Sequence, residues 1–307
     1  MKLQPTIKDY IWGGRKLHAL YGRENDGKKI SESWEISVHP AGESKLADGR
    51  TLSEYLAEHK TAVDENGSPF PILVKYIDAA QNLSVQVHPD DTYARANEND
   101  NGKTEMWYIL SADEGAGIYC GFKRDTTREE FYAKVKDGTV EKLLNFIPVK
   151  AGDCYLIKAG TVHAIGAGCV ICEIQQDSNV TYRVYDYNRL GADGKPRELH
   201  VEKALDVINF KAFNDETGSG EYAADGNTKI RLLTTCEYFT CRELLLDGEF
   251  ESVDETSFTT VNVLEGAGQV CDEPFTAGDS FFIPCKEKLV IKGKAKIILT
   301  SKSEETL

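Results

Sequence analysis

Ala151-Gly152-Asp153-Cys154-Tyr155-Leu156-Ile157-Lys158-Ala159-Gly160-Thr161-Val162-His163-Ala164-Ile165 lines up without gaps on Ala277-Gly278-Asp279-Ser280-Phe281-Phe282-Ile283-Pro284-Cys285-Lys286-Glu287-Lys288-Leu289-Val290-Ile291. Each copy opens on a Gly-Asp turn, runs into an apolar strand, turns again and continues as a second strand. Glycine supplies the backbone freedom of the turn, and the aromatic and β-branched residues suit the pleat. One such unit in each half predicts two related β domains. The copies differ at one chemically telling position, His163 in the first and Leu289 in the second. Chemistry is therefore expected in the first domain and packing alone in the second.

Outward from this repeat the same pattern continues. Short strands separated by Gly, Asp, Asn and Pro are predicted at 33–38, 83–88, 105–110, 116–121, 154–158, 170–175 and 180–186, and again at 261–264, 280–284 and 296–300. The class is mainly β, a sandwich or closed barrel. Helical patterns at 51–59 behind Thr51, 91–97, 127–146 and 201–210 read as inserts in the first domain. Residues 214–227, rich in Gly, Asp, Glu and Ala, read as a linker. The expected division is a chemistry-bearing domain at 1–212 and a carboxyl-terminal domain at 228–307 without a metal site.

Composition narrows the function. In 307 residues, 36 Lys and Arg face 50 Asp and Glu, a formal charge of −14 with no basic block. Nucleic acid and anionic membranes are poor partners for such a surface. No apolar run approaches the roughly 20 residues that span a bilayer. The first residues lack the apolar core of a secretory signal, so a cytoplasmic location is expected. Cys169 and Cys172 have the spacing of a metal knuckle, but Cys236 and Cys241 make a poor second pair. The eight cysteines read instead as reduced, small apolar side chains. Nothing in the pattern specifies an oligomeric state.

Leu83-Ser84-Val85-Gln86-Val87-His88-Pro89 carries the chemistry. In a strand, Gln86 and His88 leave one face while Val85 and Val87 leave the other. A polar pair turned into a barrel interior must be satisfied by something, and a metal ion satisfies both. Glu105 and His163 are best placed by their strand and turn contexts to complete the shell. Two imidazoles, one carboxylate and one amide suit Zn²⁺ or a similar divalent ion with positions left open. One carboxylate against a divalent cation leaves net positive charge, as a Lewis acid acting on an anion requires. His18, His39, His59 and His200 read as surface or capped residues. Lys75 within an apolar strand, Lys103 on the strand face of Glu105, and Arg183 are cations available to an anionic ligand. Ser84 shares a face with Gln86 and could contact phosphate.

These residues stand in motifs that resemble the type I mannose-6-phosphate isomerases (phosphomannose isomerases) in their short bacterial form, members of the cupin superfamily. The motifs are Ile11–Gly14, Glu32–Ser37, Val74–Asp78, Leu83–Asp90, Gly102–Trp107, Ala159–His163 and Thr181–Asp186. The resemblance implies two cupin-type β-barrels (jelly rolls) and one Zn²⁺ per chain held by Gln86, His88, Glu105 and His163. It implies that Lys75, Lys103 and Arg183 lie in the active site, Arg183 at the catalytic position, and that the partner is a small sugar phosphate. The implied reaction interconverts mannose 6-phosphate and fructose 6-phosphate through a cis-enediolate, with zinc assisting proton transfer between C2 and C1. A lysine serves as the base only if its pKa is lowered. Two positions depart from the pattern: Lys158 replaces the usual proline, and Asn179 stands where relatives commonly have Asp, with Asp177 close by.

Three other functions fit parts of the same pattern. A non-catalytic sugar-phosphate-binding cupin requires a damaged ligand set or a lost cation, and neither is present. An iron oxygenase is disfavoured by the glutamine and the site cations. An isomerase of another aldose phosphate uses identical chemistry and differs only in pocket shape.

Overall fold

The computed structural model describes residues 1–191, 194–214 and 220–303. The chain is mainly β, arranged as three sheets stacked in layers. The central sheet has six strands in the order Cys154–Ile157, Glu105–Ala112, Cys169–Gln176, Ile72–Asp78, Glu32–Ile36 and Thr6–Lys8. A five-stranded sheet orders Tyr182–Tyr185, Val85–Val87, His163–Ile165, Gly117–Phe122 and Leu144–Pro148. A nine-stranded sheet is built mostly from the second half, with Phe239–Val253, Lys288–Lys302 and Thr259–Val270 as its long central strands. Among the described residues, strand pairing closes none of the three into a barrel.

Side-chain alternation makes the layering. On the central sheet Val74, Tyr76, Met106, Tyr108, Cys172 and Ile174 pack toward the nine-stranded sheet, against Leu233, Phe258, Phe282 and Ile298. Ile77, Trp107, Ile109 and Ile171 leave the opposite face and pack on Ile118, Cys120 and Ile165 of the five-stranded sheet. The strand period of two thus puts polar residues between these apolar ones into the gap separating the central and five-stranded sheets. The outer face of the five-stranded sheet is covered by helices Arg128–Lys136 and Val201–Val207, through Phe131, Val135, Ala204 and Leu205. The second half has its own apolar core, in which Leu289 is buried with Val261, Phe281 and Ile291.

Some local expectations hold and others do not. Helix Leu52–Glu58 starts behind Thr51 in a reciprocal capping box with Glu54, and Asp91–Asn97 is helical as read. The helix predicted over 127–146 stops at Lys136, because Gly138 takes φ 71°. A short 3-10 turn, Val140–Leu143, and the strand Leu144–Pro148 follow. Residues 215–219 of the expected linker lie outside the described residues, and Ala223–Asp225 is an edge strand. Strand Lys2–Gln4 pairs with Ser280–Ile283, so the first residues of the chain extend the sheet of the second half. Cys169 and Cys172 face opposite layers, because three is an odd step along a strand, so they form no knuckle. No helix is long and apolar enough to cross a membrane among the described residues.

The Ile11–Gly14 motif fastens the strand that lines the gap. Gly14 and Ile30 exchange backbone hydrogen bonds at 3.0 and 2.9 Å, and a Cβ on Gly13 would sit 2.7 Å from the backbone nitrogen of Ser31. That approach places Glu32–Ile36 beside Ile72–Asp78. Gly13→Ala is expected to destabilise the protein by about 1–3 kcal/mol through overpacking, read as a lowered urea midpoint. An unchanged midpoint contradicts this packing.

Candidate metal centre

The gap between the central and five-stranded sheets collects most of the residues singled out in the sequence. Glu105 opens its strand at the register position facing Gln175 and Ile157. Gln86 is the register partner of both His163 and Arg183, which brings three motifs distant in sequence side by side. His88 follows that strand, and its carbonyl accepts from the Gly160 N–H at 2.9 Å, tying it to the turn before His163.

His88, Glu105 and His163 are fully or almost fully buried, and their ligand atoms lie within 4.8 Å of one another. Glu105 Oε2 is 3.5 Å from His88 Nε2 and Oε1 is 3.4 Å from His163 Nε2. Each ring is oriented from behind: His88 Nδ1–H donates to the Val180 carbonyl and His163 Nδ1–H to the Thr161 carbonyl, both at 2.8 Å. The Nε2 lone pairs therefore face the carboxylate. Burial first, and then Lys103, pushes the His88 pKa down to about 3; burial also lowers His163. Both rings are neutral at pH 7, the form that binds a metal. His88 Nε2 and both Glu105 oxygens make no hydrogen bond of acceptable geometry. Buried acceptors pointed at one another are costly; Lys103 offsets part of that at Glu105 Oε2 from one side, and a divalent cation between the three groups removes the rest. The donor set fits Zn²⁺ or a similar ion on this ground.

Gln86 completes the group with one qualification of geometry. Its amide nitrogen is 3.3 Å from His163 Nε2, and its oxygen accepts from Ser84 Oγ at 3.4 Å. Gln86 joins the donor set when its amide is turned over, which leaves the Ser84 hydroxyl accepting from the nitrogen.

The cations are held by a carboxylate that the sequence reading missed. Glu173 Oε1 lies 3.5 Å from Lys75 Nζ and 3.7 Å from Lys103 Nζ, while Oε2 accepts from Trp107 Nε1 at 2.9 Å. Lys103 also stands 2.9 Å from Glu105 Oε2. Lys75 lies 3.9 Å from Glu32 and 4.8 Å from the Trp34 ring centroid. A glutamate inside the otherwise apolar run Cys169–Ile174 was the signal for Glu173. Burial alone would lower the Lys103 pKa, but Glu105 and Glu173 outweigh it and raise it above the ordinary lysine value. The lowered lysine expected of a base is therefore not what these protein groups produce at Lys103. Glu105 is driven well below the carboxylate range by Lys103 and the two histidines despite burial, whereas burial and Glu105 raise Glu173.

Arg183 stands at the edge of this arrangement. Its Nε donates to Ser84 Oγ at 3.3 Å and its Nη1 to the Glu198 carbonyl at 3.0 Å. Among the histidines read as peripheral, His18 and His59 are exposed, while His200 Nδ1 accepts from the Arg183 backbone N–H at 3.3 Å.

The chain is similar along its length to proteins of one family. Residues 1–125 match the family model for the phosphomannose isomerase type I catalytic domain, and residues 228–302 match the mannose-6-phosphate isomerase cupin domain. The mannose-6-phosphate isomerase ManA of Bacillus subtilis is 38% identical over 92% of this chain and 91% of its own length. The probable mannose-6-phosphate isomerase GmuF of the same organism is 35% identical over 97% and 98%. A crystal structure of the Bacillus subtilis mannose 6-phosphate isomerase superposes with a TM-score of 0.90 at 36% identity, covering 97% of this chain and 98% of that one. The buried histidine and glutamate cluster, its sheets and the full-length similarity together place this chain in the mannose-6-phosphate isomerase family, with a cupin domain in its second half.

Proposed function

We propose that this chain is an aldose–ketose isomerase interconverting mannose 6-phosphate and fructose 6-phosphate with one Zn²⁺ held by Gln86, His88, Glu105 and His163. The observation that carries the reading is the convergence of His88 Nε2, His163 Nε2 and the Glu105 carboxylate, with hydrogen bonds missing from His88 and Glu105. Family membership supplies the substrate class. The pairing of Gln86 with both His163 and Arg183 supports a single site formed by residues 1–212, and the apolar burial of Leu289 supports a second domain, 228–307, that only packs. In this reading the three sheets make two cupin-type jelly rolls, with the helices at residues 16–207 as inserts in the first.

The hard step is loss of the proton at C2 beside a carbonyl. Its electron pair passes into a cis-enediolate; the proton returns at C1 while the hydroxyl proton of O2 passes to O1, which gives the ketose. The metal, when bound, supplies Lewis-acid stabilisation of the developing negative charge. Lys103, kept as an ammonium by Glu105 and Glu173, adds fixed positive charge and a proton donor. Lys75, carried by Glu32 and Glu173, stands on the same sheet face to position the sugar or pass protons. Arg183, steered by Ser84 and the Glu198 carbonyl, compensates the enediolate or the phosphate. Ser84 contacts substrate from between Arg183 and Gln86. Burial between two sheets excludes water, which strengthens each of these interactions.

Conversion of mannose 6-phosphate, measured by coupled assay, is expected to fall about 10²-fold or more after chelation and to return with added zinc. Full activity after complete metal removal contradicts the mechanism. Turnover of another aldose phosphate in place of mannose 6-phosphate keeps the mechanism and changes the substrate. A second outcome concerns protonation. With its folded pKa near 3 against roughly 6.5 unfolded, His88 contributes stability that is complete above pH 6.5 and lost as pH falls. Its imidazole ¹⁵N signals in metal-free protein should remain those of a neutral ring at pH 5. A ring that charges near pH 6.5 contradicts the buried, ligand-ready state.

A further inference from the structure

The chain that leaves Arg183 comes back to it. Leu190 pairs with Pro196 across two arms, and the Gly191 N–H donates to the Lys195 carbonyl at 2.7 Å. On its return the second arm presents the Glu198 carbonyl to Arg183 Nη1 at 3.0 Å, and the His200 N–H donates to the Arg183 carbonyl at 2.7 Å. The direction of the Arg183 guanidinium, toward Ser84 and through it Gln86, therefore depends on this hairpin being closed.

A single carboxylate reaches both arms. Asp186, only 5% exposed, accepts from Arg197 Nε at 2.7 Å, and its Oδ1 also receives terminal nitrogens of Arg197 and of Arg189. Arg189 in turn donates to the Asn82 carbonyl at 2.6 Å, anchoring the first arm beside the Leu83–Asp90 motif. The corner next to Asp186 is conformationally expensive, since Tyr187 and Asn188 both adopt left-handed backbone at φ 55° and 52°. Asn tolerates that region; tyrosine does not do so readily. The surrounding contacts hold it: Tyr187 donates to Glu141 Oε1 at 3.0 Å, and the Arg189 guanidinium lies 5.2 Å from the Tyr187 ring centroid. Two guanidinia, those of Arg189 and Arg197, share the one carboxylate, and Arg183 lies close enough to feel the charge of all three groups. Without the carboxylate's charge the guanidinia repel one another.

We propose that Asp186 is a positioning residue whose carboxylate holds the arms 186–191 and 194–198 together and so keeps the Glu198 carbonyl where it aims Arg183 at the metal centre. The inference rests on the isomerase reading for the role of Arg183, but its geometry does not. In the full-length zinc-loaded protein, Asp186→Asn keeps the volume and removes the charge. It is expected to lower kcat/KM for mannose 6-phosphate at least tenfold in the parent and less than twofold in an Arg183→Ala background, with zinc content unchanged in both. Equal losses in the two backgrounds overturn the proposal, since a merely structural role acts whether or not Arg183 is present. An arm independent of turnover uses ¹⁵N-arginine: the Arg183 Nε–H resonance, assigned by its loss in Arg183→Ala, is expected to shift and broaden in Asp186→Asn. An unmoved resonance overturns the proposal even if the parent proves inactive, and inactivity alone sinks only the isomerase reading. Arg197→Gln opens the clamp from the other arm and replaces Asp186→Asn if that variant fails to fold, with the same expected pattern.

Discussion

Three acceptor groups aimed at one point inside a protein repel one another, and that repulsion organises this molecule. His88 Nε2 and His163 Nε2 approach the Glu105 carboxylate to 3.5 and 3.4 Å with their lone pairs inward, their outer atoms already committed to backbone carbonyls or shielded by Lys103. Folding delivers this constellation only because the two sheets have extensive apolar surface elsewhere to bury. Ile77, Ile109, Ile118 and Ile171 occupy the same gap, and their burial offsets the cost of the polar cluster beside them.

Charge is graded outward from that point. Next to the acceptors stand two lysines that share Glu173, and beyond them Arg183, with Arg189 and Arg197 on the hairpin that follows. A chain with net charge −14 repels anions at long range. The site reverses that sign locally by pairing cations with fewer buried carboxylates. Glu173 and Asp186 play equivalent structural parts, each fixing two cations so that neither wanders.

What could be read in the sequence was the chemistry that strand periodicity exposes. Gln86 and His88 at a step of two, His163 after its Ala-Gly turn, and Glu105 opening an apolar strand all lie where the alternation puts them, and Lys75, Lys103, Ser84 and Arg183 gather around them. What could not be read depends on pairing between distant segments, which no local pattern encodes. The addition of Lys2–Gln4 to the sheet of the second half is such a case, as is the return of Glu198 to Arg183. The overrun of the helix expected at 127–146 has a simpler cause: the apolar residues of Val140–Leu143 keep a helical rhythm across Gly138, whose left-handed backbone breaks it. Glu173 was legible in principle, since an acid within Val-Ile-Cys-Glu-Ile demands a buried cation.

Anomalous diffraction at the zinc edge, from crystals of the protein grown with zinc, tests the central claim most directly. The account predicts one peak per chain, roughly 2.0–2.2 Å from His88 Nε2, His163 Nε2 and a Glu105 oxygen. Zinc bound elsewhere, with these three groups left facing one another unligated, would contradict it.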